Sequence, residues 1–364
     1  MRVIMSGGGT GGHIYPAIAI AQKLQANIEN CDILYVGIKG GPEEAIAKKY
    51  GYDFKPIDGM GLPRKINKRF FKSLSKNMKG FKAARKIVKE FKPDIAIGTG
   101  GYVCGPIIYK AAKAKVPTII HESNSYPGVT SKFLSKKVDY LCISYPQAKR
   151  HLKYKDNIVV TGNPVRTNFK ETFTDEDLEK LGIKKDRPVV FSFGGSNGSY
   201  ALNKAVIELS KILKDEFYLL HQTGRRNYDK FNEEVTDNPY IKAFSYIDNI
   251  DLFYAVSDLV IASSGAMSLA EISAVKKPSI LIPKAYTTEN HQQYNAQTYV
   301  DNDAALMILE KNLDGKILYE DILSIINDKE KLEAMGKAAG LLADEDASDK
   351  ILDLVLELVG KDAK

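Results

Sequence analysis

Cysteine is scarce in this chain of 364 residues: there are three, Cys31, Cys104 and Cys142, and they lie far apart. They form no CxxC pair for zinc and no disulfide framework, so a reducing compartment such as the cytoplasm is expected. A long apolar run is also missing. The longest stretch free of Asp, Glu, Lys and Arg, Val3 to Gln22, is broken by Gly7, Gly8, Gly9, Gly11, Gly12 and Pro16. This excludes a spanning helix there, and the glycines fall where a signal peptide needs its apolar centre. Acid is nearly absent from one segment. Residues 64–92 hold twelve Lys or Arg against Glu90 alone, whereas the rest of the chain has 40 basic and 44 acidic residues. The formal charge of +7 therefore has a local origin, which points to a local acidic partner rather than a cationic surface overall.

What is present is a soluble, globular composition, 44% hydrophobic and 27% charged, long enough for two domains. Short apolar runs alternate with helix-length amphipathic stretches, the pattern of parallel α/β units. Val3–Met5, Ile33–Val36, Ile95–Ile97, Thr118–Ile120 and Tyr140–Ile143 read as buried strands in the first half. Val189–Phe193, Tyr218–His221, Leu259–Ala262 and Ser279–Ile282 restart the pattern, with helices such as Ala201–Leu213 and Met267–Val275 between them and helices dominating from Gly315 to Val359. The joint falls at Thr161–Arg166, where a strand ends and Pro164 prevents simple continuation. In doubly wound domains ligands gather at the carboxyl ends of the strands, and a cleft between two such domains would let each hold half of a reaction.

Three glycine loops follow strands: 7–13 with Pro16 in the first turn of the next helix, 98–106, and 194–198. The first contains GxGxxG, but the second strand ends in Gly37–Ile38–Lys39, without the acid that would hold a dinucleotide's ribose. No GK[ST] follows it, so a Walker loop is excluded too. Three such loops at equivalent strand ends indicate an anionic or sugar-like ligand. His13, on the first loop, is a candidate general base. His121 and Glu122, at another strand end beside Asn124, either line the same cleft or, for His121, satisfy buried backbone groups. In 263–271, Glu271 either accepts ribose hydroxyls or is an early helical acid favoured by the dipole. Asp175–Glu176–Asp177 and Asp344–Glu345–Asp346 spell DxD but look like solvated helix starts, so no metal site is expected.

In the basic segment Phe70, Phe71, Leu74, Met78 and Phe81 interleave with Lys68, Arg69, Lys72, Lys76, Lys79 and Lys82 at helical spacing. That suits a helix lying on anionic lipid, or an amphipathic helix packed on its own sheet. A nucleic-acid partner lacks any recognised motif.

In order along the chain, GGGTGGH at 7–13, GGYVCGP at 100–106, HESNSYPG at 121–128, GNPVR at 162–166, GGSNGS at 194–199, SSGAMSLAE at 263–271 and HQQYNA at 291–296 together resemble the MurG family of peptidoglycan N-acetylglucosaminyltransferases. The resemblance implies an α/β GT-B fold: two Rossmann-like doubly wound parallel-sheet domains facing an inter-domain cleft. Residues 1–162 would form the acceptor and membrane-associating domain, with a C-terminal helix at about 347–364 packing back onto it; 163–346 would bind UDP-GlcNAc. The implied reaction is inverting transfer of N-acetylglucosamine from UDP-GlcNAc to the 4-hydroxyl of the MurNAc of lipid I. Lipid II and UDP result, in the service of wall growth, cell shape and division. No metal or other cofactor is implied. The implied location is peripheral, on the cytoplasmic face of the cell membrane, with an anionic membrane surface and cell-wall machinery as partners.

By motif, Thr10, Gly11 and Gly12 would contact the donor across the cleft, with His13 near the acceptor. Asn124 would reach the donor sugar, Arg166 and Ser196 its diphosphate, and the Ile247 backbone the uracil. Ala266, Met267, Ser268, Leu269, Ala270 and Glu271 would hold the nucleoside, and Gln292 and Gln293 would read sugar hydroxyls. Lys68, Arg69, Phe70, Phe71, Lys72, Leu74, Lys76 and Met78 would meet the membrane. Ser123 stands where the family usually has Gln, Cys104 where it has Ser, and Asn197–Gly198–Ser199 where it has Gln-Gly-Ala, all exchanges within intact frames.

Overall fold

The structure, a computed structural model, describes residues 1–61, 68–165, 169, 172–195, 197–287 and 290–362; of 68–72, 74, 361 and 362 it describes the backbone only. Two compact units result: 1–165 together with 344–364, and 166–343.

Among the described residues, unit 1 holds seven parallel strands: β1 (Arg2–Ser6), β2 (Asp32–Ile38), β3 (Asp53–Ile57), β4 (Ile95–Gly98), β5 (Thr118–Glu122), β6 (Tyr140–Ile143) and β7 (Ile158–Val160). Their order in the sheet is β3-β2-β1-β4-β5-β6-β7. Its helices are α1 (Gly11–Asn27), α2 (Pro42–Lys49), α3 (Lys68–Phe91), α4 (Cys104–Lys113) and α5 (Val129–Leu134). In unit 2 the helices are α6 (Asp175–Leu181), α7 (Tyr200–Leu209), α8 (Tyr228–Glu234), α9 (Ile250–Val256), α10 (Ala266–Ala274), α11 (His291–Val300), α12 (Gly315–Ile326) and α13 (Lys329–Leu341). They surround β8 (Val189–Phe193), β9 (Tyr218–Gln222), β10 (Ile241–Phe244), β11 (Leu259–Ala262), β12 (Ser279–Leu281) and β13 (Ala305–Met307), ordered β10-β9-β8-β11-β12-β13. The last helix, α14 (Ala347–Asp362), belongs to unit 1.

Strand order reverses between β1 and β4 in unit 1 and between β8 and β11 in unit 2. These four strands end at Ser6, Gly98, Phe193 and Ala262, so every glycine loop singled out above begins at a switch point, where doubly wound sheets bind ligands. The central strands β1, β4, β8 and β11 are almost wholly buried because helices cover both faces. On one face of the first sheet Ile14, Ile18 and Leu24 of α1 pack with Ile351, Leu352 and Val355 of α14, burying about 1.5–3 kcal/mol of transfer free energy per large side chain.

Two expectations need correction. Pro16 lies in the second turn of α1, not the first, because the helix begins at Gly11. At that position proline removes the N–H that the Gly12 carbonyl would otherwise accept. The helix expected over Ala201–Leu213 ends at Leu209, where Ser210 turns its hydroxyl onto the Ile207 carbonyl at 2.7 Å.

Candidate functional site

At the switch point of unit 1 the first two glycine loops interlock. Thr99 donates its N–H to the Ser6 carbonyl at 2.9 Å and its hydroxyl to the His13 carbonyl at 2.5 Å. Gly101 sits at φ +81°, and a Cβ there would lie 2.3 Å from the Gly8 oxygen, so only glycine allows the loops this close. Gly100 leaves equal room for the His13 ring, whose Cδ2 would stand 2.7 Å from an added Cβ.

His13 Nδ1 lies 3.1 Å from the Gly8 carbonyl and 3.3 Å from Thr10 Oγ1. A carbonyl only accepts, so Nδ1 carries the proton in the neutral ring and Nε2 is the acceptor nitrogen, the form a general base requires. Thr10 is the N-cap of α1, and Gly11 and Gly12 open the helix with their N–H groups at its positive end.

Sequence reasoning missed the group that shapes this loop. Glu43, on α2 and 1% exposed, accepts from the Gly9 N–H at 3.2 Å and from the Ile38 N–H at 3.0 Å. It thereby ties the end of β2 to the first glycine loop.

The β5 end is built around Glu122. One carboxylate oxygen accepts from both the N–H and the side-chain amide of Asn124 at 3.0 Å; the other accepts from the Gly128 N–H at 2.8 Å and the Ser131 hydroxyl at 2.6 Å. Glu122 is therefore the clamp that orients Asn124. Of the two readings of His121, the structure supports backbone satisfaction. The ring is fully buried, its Nε2 donates to the Gly162 carbonyl at 2.8 Å, and burial lowers its pKa below the usual imidazole value. Burial also pushes the Cys104 thiol up to about 12, which makes it inert.

In unit 2, Gln222 bridges two segments that are distant in sequence. Its Nε2 donates to the Gly195 carbonyl at 3.1 Å and its Oε1 accepts from the Ile247 N–H at 2.9 Å. Below it runs a buried chain: the Ser192 hydroxyl meets His221 Nδ1 at 2.5 Å, His221 Nε2 donates to Asn203 Oδ1 at 3.0 Å, and Asn203 Nδ2 donates to the Thr223 carbonyl at 3.0 Å. Wholly buried, this network resembles a hydrolytic triad in spelling only; it supports the loop above it.

On α10, Ala266, Met267 and Leu269 are buried in the core, whereas Ser268, Ala270 and Glu271 are half-buried. Glu271 accepts from the Tyr254 hydroxyl at 3.2 Å. At the end of β11 the buried hydroxyls of Ser263 and Ser264 have no hydrogen-bond partner among the described residues. Gln292 Oε1 accepts from the Lys284 N–H at 2.9 Å, and Gln293 Oε1 from the Asn290 side chain at 2.7 Å. Arg166 and Ser196 lie outside the described residues.

Both DxD spellings sit at helix starts. Asp177 completes a capping box with Thr174, and Asp344 pairs with Lys350 at 3.3 Å just before α14. On α3 the buried positions include Ser73, Gly80, Ala84, Ile87 and Val88, while Lys76 and Lys79 are exposed and Met78 is 59% exposed. Phe81 packs edge-on against Tyr109. The side chains of Lys68, Arg69, Phe70, Phe71, Lys72 and Leu74 lie outside the described residues.

Comparison with known proteins adds a family. Residues 3–143 match the glycosyltransferase family 28 N-terminal domain and 189–351 the family 28 C-terminal domain. A protein of Finegoldia magna is 44% identical, each chain covered in full, and one of Acetivibrio thermocellus is 40% identical over 99% of this chain and 98% of that one. Both are named UDP-N-acetylglucosamine--N-acetylmuramyl-(pentapeptide) pyrophosphoryl-undecaprenol N-acetylglucosamine transferase. Among solved structures, the Acinetobacter baumannii MurG crystal structure matches with a TM-score of 0.77 at 25% identity, covering 98% of this chain and 99% of that one. The Staphylococcus aureus MnaA–UDP co-structure shares the fold, with a TM-score of 0.74 at 15% identity over 99% and 97% of the two chains.

Proposed function

The chain belongs to glycosyltransferase family 28, and we propose how its two units divide the reaction for which its curated relatives are named. That reaction moves N-acetylglucosamine from UDP-N-acetylglucosamine to the muramyl sugar of lipid I, giving lipid II and UDP in peptidoglycan synthesis. The fold is GT-B, and unit 2 is the donor unit. The observation that carries this assignment is the Gln222 bridge, which joins the Ile247 segment to the β8–α7 loop and so holds a base site and a diphosphate site in fixed register. Because the Ile247 N–H is given to Gln222, the Ile247 carbonyl meets the N3–H of uracil. Glu271 takes the ribose hydroxyls, and Gln292, Gln293 and Asn124 read the sugar.

Unit 1 is the acceptor unit. His13 Nε2 takes the proton of the acceptor's 4-hydroxyl as its oxygen bonds to the anomeric carbon from the face opposite UDP. The anomeric C–O bond breaks with its electron pair going to the β-phosphate, and the configuration inverts. Positive charge and helix N-terminal N–H groups stabilise the departing diphosphate, without a metal ion.

The acceptor's polyprenyl chain resides in a bilayer. Among the described residues no helix is long and apolar enough to cross a membrane. We place the protein peripherally on the cytoplasmic face of the cell membrane, with α3 against anionic lipid. Its packed stripe includes Ser73, Gly80, Ala84, Ile87 and Val88, while Met78, in the apolar stripe, faces outward beside Lys76 and Lys79.

The test supplies UDP-GlcNAc with and without a lipid I analogue while UDP and sugar products are followed. UDP release that depends on acceptor is the expected result. Donor consumed equally without acceptor would instead indicate an epimerase, and binding with no UDP released would indicate a nucleotide-sugar-binding scaffold.

A further inference from the structure

Lys284 lies just beyond β12, outside every motif singled out in the sequence, yet its ammonium reaches the β8–α7 loop. Nζ donates to the Gly198 carbonyl at 2.8 Å, across 86 positions of sequence. Gly198 directly precedes Ser199, the N-cap of α7, so the cation stands beside the positive end of that helix. The same residue's N–H holds Gln292 Oε1. The side chain is half-buried, and burial pushes its pKa below the ordinary lysine value. Glu310 attracts it, but no described carboxylate forms an ion pair with it. One of its three N–H groups is given to the carbonyl. A cation taken partly out of water beside a helix N-terminus, with no paired acid, is in an unfavourable setting until an anion arrives. The unpartnered hydroxyls of Ser263 and Ser264 add polar capacity at the neighbouring strand end, where the Ser263 N–H donates to the Phe193 carbonyl at 3.2 Å.

We propose that Lys284 binds the diphosphate of the UDP-sugar directly, together with the N-terminus of α7, and neutralises the charge that grows on UDP as it leaves. This rests on the reading of unit 2 as the donor unit. Lysine remains protonated throughout: the electron pair of the breaking anomeric bond goes to the β-phosphate oxygen, and the ammonium supplies charge, not a proton. The hydrogen bond to Gln292 through the same residue's backbone couples diphosphate binding to sugar recognition.

The test compares UDP with uridine, which shares the base and ribose but has no phosphate. Calorimetric titrations are run on the wild type, Lys284→Gln and Lys284→Arg, with melting curves alongside. The glutamine variant removes the charge while keeping a side-chain N–H donor. Expected is a loss of roughly tenfold or more in UDP affinity for Lys284→Gln, no more than a twofold change for uridine, and substantial recovery in Lys284→Arg. Equal weakening of UDP and uridine, or no change in either, would make Lys284 a mere clamp on the loop and overturn the proposal. A wild type that binds neither ligand overturns the donor-unit reading and this proposal with it, and that outcome is distinct from the other two.

Discussion

The bond between His13 Nδ1 and the Gly8 carbonyl selects the ring tautomer, and a histidine so held can lose its function through the loop as well as through its own replacement. His13→Ala is expected to lower kcat by roughly 10²-fold or more, with UDP affinity retained; steady-state kinetics with near-normal turnover would remove His13 from the role of base. Glu43→Gln retains one acceptor but turns an amide against a backbone N–H. We expect about 1–3 kcal/mol lost in stability, a reduced kcat, and an unchanged UDP titration, since the residue serves unit 1 alone. A fall in UDP affinity equal to the fall in kcat would contradict that assignment. Residues of this kind were not legible in the sequence. His13 announces itself by standing on a glycine loop at a strand end. Glu43, Gln222 and Lys284 act on backbone groups 34, 25 and 86 positions away, and no local spacing records such a meeting.

Among the elements, what could be read followed burial. The strands at the centre of each sheet are covered on both faces and form continuous apolar runs, so they stood out. β3, β10 and β13 did not, and β7 was foreseen only as the strand ending at the joint. These four are the edges of the two sheets. With one side toward solvent they carry residues such as Lys55 and Lys242, and β3 includes Pro56, which only an edge or strand end tolerates well. The basic helix was legible as amphipathic, but not which stripe packs; small side chains at Gly80 and Ala84 decide that. Replacing Lys76 and Lys79 by Ala should weaken binding to anionic vesicles by roughly 2 kcal/mol, about thirtyfold, measured by co-sedimentation at moderate salt. Unaltered sedimentation would leave α3 as a solvated face.

For the molecule as a whole, acid is the predicted weakness. Each unit holds a fully buried histidine kept neutral by desolvation, and for His221 the pKa is pushed down to about 3. The unfolded chain takes up a proton near pH 6.5, so stability is complete above that pH and declines as pH falls from about 6.5 toward 3. For His221 the loss is about 2 kcal/mol at pH 5. Urea midpoints measured between pH 7.5 and 5 should fall accordingly, and a flat profile would refute this. Truncating Ile351 to Ala should cost about 2–5 kcal/mol, read as a lower melting temperature of unit 1 rather than unit 2.

The placement of α14 also has a temporal side. Unit 2 is an uninterrupted segment and can complete its core as soon as it leaves the ribosome. Unit 1 is begun first but lacks the helix that covers Ile14 and Ile18 until almost 200 further residues have been made. At ordinary elongation rates that is roughly 10–40 s during which a nascent apolar surface waits uncovered. Chaperone demand during translation should therefore concentrate on the half of the protein that is synthesised earliest.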